Sequence, residues 1–191
     1  MLGASLGNFR MLATAFDFSS YNTVLDIGGS CGCCCVALCG AHAHLHATTA
    51  DLPAVMQMAE AYVSRHGMSD RVKVLDLDFF SPDPFPAADV VIMGMVLHDW
   101  GLAKKVMLMR KALAALPPGG AFIAVDNLID DQRRTATIPL AMSLNMLLEF
   151  GRESAFDYSF SEFQSWAEDV GFSRCAVLPL QGCCAAAVAF K

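Results

Sequence analysis

Val24-Leu25-Asp26-Ile27-Gly28-Gly29-Ser30-Cys31-Gly32 is the stretch whose reading decides the fold. It reads as a short apolar strand, an acid near the strand's end, and a glycine-rich turn that opens into a helix. Glycine in such a turn lets the backbone take positive φ and brings N–H groups against a ligand with no Cβ in the way. An Asp-x-Gly-x-x-x-Gly string alone fits many tight strand-to-helix turns. A second acid, Asp51, stands roughly 20 to 25 residues on, where the second strand of a dinucleotide-type βαβ unit ends and its carboxylate can accept ribose hydroxyls. Two acids and a glycine turn at that spacing predict a site for an adenosine-containing cofactor.

Working outward, apolar and helical segments alternate at short loop spacing. Residues 3–17 form an amphipathic lead-in helix with Leu6, Phe9, Leu12 and Phe16 at helical spacing. Strands are expected at 23–27, up to Asp51, at 72–77, 89–96, 121–126, 176–180 and 184–190. Helices are expected after the glycine turn, from Pro53 to about His66, and over 102–115, 137–149 and 161–170. Pro53 suits a first helical position, Pro117-Pro118-Gly119-Gly120 stops a helix, and Ser161 and Gly171 serve as caps of the last one. This alternation predicts an α/β fold, doubly wound, with a mostly parallel seven-stranded sheet and helices on both faces.

The chain has 191 residues and a net charge of -6, enough for one domain with a full core. It is 55% hydrophobic, with a mean hydropathy of +0.44. No apolar run reaches the roughly 18 residues of a membrane span; Val90–Leu97 and Cys183–Phe190 are strand-length. Strands buried on both faces explain such a composition, and so does apolar surface meant for a further domain or subunit. With no basic run, nucleic acid is not the expected partner, and neither is a membrane. No charged-then-apolar leader pattern opens the chain, so a cytoplasmic location is expected.

Eight cysteines invite a metal or disulfide reading. Five crowd together as Cys31, Cys33, Cys34, Cys35 and Cys39, ahead of His42, His44 and His46. Neighbouring cysteines on one helix point in different directions and do not converge on a tetrahedral metal as paired Cys-x-x-Cys hooks do. Cysteine also behaves as a small hydrophobe, which suits close packing under the glycine turn. No metal site and no disulfide is expected.

In open parallel sheets the ligand crevice lies at the carboxyl ends of the strands. Asp26, Asp51, Asp78, His98 and Asp126 each fall at or just beyond such an end. One strand-end acid is commonly a loop cap; a succession along one edge points to a site. His98, in Leu97-His98-Asp99-Trp100, closes the fourth strand beside the cofactor edge. An imidazole titrating near neutrality suits removal of a proton from a hydroxyl with a pKa of about 10, such as a phenol. Neighbouring carboxylates would fix its tautomer and stabilise the imidazolium.

Six segments carry a family resemblance in their order and spacing: Asp26–Gly32, Asp51-Leu52-Pro53, Asp78-Phe79-Phe80, Leu97–Trp100, Pro118-Gly119-Gly120 and Ser143-Leu144-Asn145-Met146-Leu147. On them the chain resembles the S-adenosylmethionine-dependent O-methyltransferases of the caffeate and hydroxyindole type over nearly its whole length. Asp131-Gln132-Arg133-Arg134 and Ser143–Leu147 bring its second half nearest the acetylserotonin O-methyltransferase-like branch. The resemblance implies S-adenosyl-L-methionine as cofactor, held by Asp26, Gly28, Gly29, Gly32, Asp51, Leu52, Asp78 and Phe79. Gly28 and its neighbours would take the methionine part, Asp51 the ribose hydroxyls, and Asp78 and Phe79 would lie beside the adenine. It implies His98 as general base flanked by Asp126 and by Asp157, with Glu153 in reserve for the second acid. Asn145 and Met95 fall where an acceptor pocket is lined, and the acceptor implied is a phenolic or hydroxyindole-type small molecule.

Three departures stand out. The family usually has glutamate at Asp126 and Asp157, so each carboxylate is one methylene shorter in reach. Ser30-Cys31 and Gly94-Met95 also differ from the usual residues, the latter pair where a basic residue is frequent. Family members carry an N-terminal helical dimerisation domain, and this chain begins at a lead-in helix of about residues 1–20. The expectation is therefore a single catalytic domain over 1–191, with a homodimer or an N-terminal domain as missing partner. Two alternatives stay open: a related protein repurposed for decarboxylation or hydroxylation, and a non-catalytic subunit of the same fold.

Overall fold

The computed structural model describes residues 2–151 and 155–191. Its elements run α1 (Leu2–Ala15), β1 (Thr23–Ile27), α2 (Cys33–Ala41), β2 (His46–Asp51), α3 (Pro53–Arg65), β3 (Val72–Asp76) and β4 (Val90–Gly94). A one-turn 3-10 helix (Leu97–Asp99) follows, then α4 (Leu102–Ala115), β5 (Ala121–Asn127), α5 (Thr137–Phe150), α6 (Phe160–Val170), β6 (Arg174–Pro179) and β7 (Cys184–Phe190).

The seven strands form one sheet in the order β3-β2-β1-β4-β5-β7-β6. All pairs from β3 to β5 are parallel, and β7 runs antiparallel between β5 and β6. From β1 the chain winds outward to β2 and β3, then returns to lay β4 on the other side of β1. That reversal opens a crevice between the ends of β1 and β4, where the loops part in opposite directions.

Period-two alternation along the strands feeds two cores. Val24, Ile92, Ile123 and Val125 face one side with Phe9 and Leu12 of α1, Phe16 just beyond it, the buried cysteines of α2 and Val63 of α3. Leu25, Ile27, Val91, Met93 and Phe122 face the other, packed on Leu108 and Met109 of α4 and Phe163 of α6. Strands buried on both faces account for the high apolar content. Cys31, Cys33, Cys34, Cys35 and Cys39 are all buried as free thiols. Cys35 lies 3.9 Å from the Asp26 carboxylate and Cys39 3.5 Å from the Leu45 carbonyl, while burial pushes the Cys34 and Cys35 thiols well up. Among the described residues no group of three His, Cys, Asp or Glu side chains is arranged to hold a metal ion.

Several boundaries differ from the sequence reading. β4 ends at Gly94, because Met95 enters the left-handed region at φ 57 and turns the chain out of the sheet. The cap of α6 is Ser159, not Ser161. Ser159 accepts the Glu162 N–H while the Glu162 carboxylate accepts the Ser159 N–H, a reciprocal capping box. Ser161 instead donates to the Asp131 carboxylate at 2.8 Å.

Candidate active site

The glycine turn after β1 is built by backbone bonds to β2. The N–H groups of Gly28 and Gly29 both donate to the Ala50 carbonyl, at 2.8 and 3.2 Å, and that of Ser30 donates to the Asp51 carboxylate at 2.8 Å. These donors are spent inside the protein, contrary to the expectation that the turn offers them to a ligand. What the glycines supply is closeness. A Cβ on Gly29 would stand 2.2 Å from the Thr49 hydroxyl and 2.5 Å from the Asp26 carboxylate, and one on Gly28 2.8 Å from Val96. Gly32, at φ 76, opens α2.

Below this turn is a cavity of about 450 Å³ lined by Asp26, Gly28, Gly29, Ser30, Cys31, Phe9 and Met95, among others. A cavity of that size accommodates a drug-sized ligand. Asp26 is buried at its edge. Burial first, and the charge of Asp51 second, push its carboxyl up to about 7. Asp51, at the end of β2, uses one oxygen for the Ser30 N–H and the other for the Leu52 N–H at 2.7 Å. Each oxygen keeps a second lone pair for a hydroxyl donor. Leu52 is about half exposed beside it.

On the far side of the crevice the turn after β4 carries His98, only 6% exposed. Its Nδ1 lies 3.3 Å from Asp157 Oδ1 and its Nε2 3.4 Å from Asp99 Oδ1. Burial disfavours the imidazolium, but the hydrogen bond to Asp157 and the charges of Asp126, Asp99 and Asp157 outweigh it and hold His98 up at about 9. The expected titration near neutrality is corrected upward, because three carboxylates surround the ring and only two were foreseen.

Asp126 does not touch the imidazole. It accepts the Tyr158 hydroxyl at 2.5 Å and acts on His98 through charge alone. Burial pushes its carboxyl up to about 6, opposed by His98, by that hydrogen bond and by Lys105. One oxygen each of Asp126 and Asp157 is buried without a hydrogen-bond partner among the described residues.

Between the two halves lies an aromatic group. Phe79 is half-buried and 3.7 Å from where a Cβ on Gly28 would sit, and Phe80 packs edge-on against Trp100 at 4.5 Å. Lys104 lies over the Trp100 ring at 4.4 Å. Asp78 is exposed and accepts the Phe80 N–H, bracing this loop. Asn145 stands exposed on α5 near Leu144 and Leu148, and Met95 lines the cavity. Glu153 lies outside the described residues.

Three participants escaped the sequence reading: Asp99, Tyr158 and Lys105. Asp99 was legible as an acid beside the histidine. Tyr158 and Lys105 carried no local signal, since what recruits them is contact across the fold.

The model of the O-methyltransferase domain family matches residues 5–173, and the chain belongs to that family. The tetracenomycin polyketide synthesis 8-O-methyl transferase TcmO of Streptomyces glaucescens is 39% identical over 90% of this chain and 50% of its own length. The 3-hydroxy-5-methyl-1-naphthoate 3-O-methyltransferase of Streptomyces sahachiroi is 35% identical over 86% of this chain and 47% of its own. Human N-acetylserotonin methyltransferase, solved in complex with SAM, superposes with a TM-score of 0.86 at 27% identity, covering 96% of this chain and 51% of that one. The chain thus spans about half the length of the relatives it matches. No helix among the described residues is long and apolar enough to cross a membrane.

Proposed function

We propose that the chain is the cofactor-binding and catalytic part of an S-adenosylmethionine-dependent O-methyltransferase whose acceptor is a small hydroxylated aromatic, a phenol or a hydroxyindole. The observation that carries this reading is the His98–Asp157 pair, buried at the switch point of the sheet opposite the glycine cradle. The relatives support the acceptor class, being named for methyl transfer in polyketide synthesis, to a naphthoate and to N-acetylserotonin.

The residues present fit the cofactor. The cavity with Asp26 at its edge offers an acidic, close-walled seat for the ammonium group of the methionine part, Asp51 has lone pairs left for a ribose diol, and Phe79 offers a face for adenine. The cofactor, when bound, supplies an electrophilic methyl group on a sulfonium. The chain's own work is alignment and proton management, the terms worth most in such a displacement.

His98 Nδ1 donates to Asp157, which fixes the tautomer and turns Nε2 toward the acceptor hydroxyl. The acceptor oxygen takes the place at Nε2 now held by Asp99, whose side chain is 45% exposed. A conjugate acid at about 9 lies close to a phenol's pKa of about 10, so the proton moves with little loss. Asp157 and Asp126 hold the resulting imidazolium by contact and by field.

Calorimetric titration with S-adenosylmethionine and S-adenosylhomocysteine, with Asp51→Ala as control, tests the reading. Micromolar binding lost in the variant, followed by S-adenosylhomocysteine release with a phenol or hydroxyindole, supports it. A folded chain that binds neither overturns it. Cofactor binding with a changed acceptor and no S-adenosylhomocysteine also counts against it.

A further inference from the structure

We propose that Lys105 is the positioning residue of this centre, clamping the turn that carries His98 to the segment that carries Asp157; the inference rests on the methyl-transfer reading for its purpose, not for its geometry. Lys105 sits in the first turn of α4 and is fully buried. Its ammonium donates to the carbonyls of Leu97 at 2.8 Å, Trp100 at 2.5 Å and Phe156 at 2.7 Å. The first two bracket His98 in sequence, and the third directly precedes Asp157. The Phe156 ring lies 3.9 Å below the same nitrogen.

Nothing in local helix chemistry asks for a lysine here. The first turn of α4 has no acid, and a cation at a helix N-terminus opposes the helix dipole. Burying an ammonium is costly, and an apolar side chain of the same length would serve packing as well. The lysine is explained by what it joins. The three-residue 3-10 helix holding His98 is too short to fix its own position. Its links to the neighbouring segment are the bond from the Phe156 N–H to the His98 carbonyl at 3.0 Å, the His98–Asp157 contact and the Lys105 bridge. Among the described residues only Lys105 makes its bonds from a third, rigid element, since α4 is packed on α6 and on the sheet.

The charged groups around it come from every neighbour: Asp99 from the 3-10 helix, Asp126 from β5, Asp157 from the segment before α6, and Glu162 from α6. Burial lowers the Lys105 ammonium to about 8, against the pull of these four acids. Charge and position therefore make opposite predictions. Removing a cation near an imidazolium raises its pKa. Letting the histidine turn drift from Asp157 lowers it.

The experiment is NMR titration of the histidine rings in the whole chain, with the His98 signal identified by its loss in His98→Gln. In Lys105→Met, with cofactor affinity within about twofold of the parent, the proposal expects the His98 midpoint to fall by at least one unit toward the ordinary value of about 6.5. Where methyl transfer is measurable, kcat should drop about a hundredfold with the KM for cofactor little changed. An unchanged or raised His98 midpoint overturns the proposal. Should Lys105→Met not fold, the parent itself decides. A slowly exchanging Lys105 ammonium titrating well below 10.5 supports the clamp, and one that exchanges freely at the ordinary lysine value overturns it. A fall in the His98 midpoint in a chain that fails the cofactor titration supports the clamp and sinks the methyl-transfer reading instead.

Discussion

His98 and Asp157 stand 59 residues apart in the chain and meet at 3.3 Å, Nδ1 to Oδ1, with neither side chain more than 7% exposed. The parallel strands bring the turn after β4 and the segment leading to α6 to the same end of the sheet. Asp157→Asn keeps the shape and removes the charge. The His98 midpoint should fall from about 9 toward about 6.5, and the plateau rate by roughly tenfold to a hundredfold. NMR titration together with a rate profile reads both, and a His98 that still titrates near 9 in the variant would refute the pairing.

His98→Ala should lower kcat by about 10² to 10⁴, the range of a lost general base, with cofactor affinity near normal. Single-turnover kinetics and calorimetry separate the two effects. Equal losses in both would mean that the histidine holds the cofactor site together and does not serve as the base.

Acceptor methylation should climb with pH from about 6 to about 9 in the parent. His98 must be neutral to take a proton, and with a midpoint near 9 only about one molecule in a hundred is ready at pH 7. A rate that is flat across this range with a phenol in excess would contradict the assignment.

Burial raises the Asp26 carboxyl to about 7 from an unfolded value near 3.8. The folded state therefore holds a proton that the unfolded chain has released between these values. Stability from this group is complete below about 3.8 and is lost as pH rises through about 7. Asp26→Asn should match the parent at pH 4 and gain on the order of 10 °C in Tm at pH 8. Calorimetric melting at both pH values is the check, and the same difference at each would dismiss the buried-acid account.

Gly29→Ala places a Cβ 2.2 Å from the Thr49 hydroxyl and should cost about 1–3 kcal/mol with weakened cofactor binding. Gly40→Ala, in α2 with only Met68 at 3.8 Å, should stabilise by about 0.5–1 kcal/mol. Denaturant midpoints of the two variants should move in opposite directions; a shared direction would remove the cradle argument.

The sheet was legible in the chain because both of its faces are buried and its loops are short. Val24–Gly32 and Val90–Gly94 announce themselves by apolar runs ending in turn residues, and the helix starts at Pro53 and Leu102 follow from local chemistry. The site was legible where it consists of strand ends: Asp26, Asp51 and Asp126 fall there, and His98 follows in the short 3-10 helix beyond β4. Its other half depends on contacts between distant segments. Nothing in the sequence around Tyr158 points to its hydroxyl bond with Asp126, and nothing around Lys105 points to the three carbonyls that converge on it. Two serines lie close together at the start of α6, and it is the reciprocal bonds with Glu162 that select Ser159 over Ser161 as the cap.

The cysteine helix gives the molecule a built-in clock. Cys34, Cys35 and Cys39 lie sealed beneath the glycine turn, with thiols that burial keeps protonated. An alkylating reagent reaches them only when that part of the chain opens, so their labelling rate counts openings of the cradle itself. Anything that seats in the cradle must slow the clock by the ratio of its concentration to its dissociation constant. Mass spectrometry of labelled thiols therefore reads ligand occupancy here without any turnover.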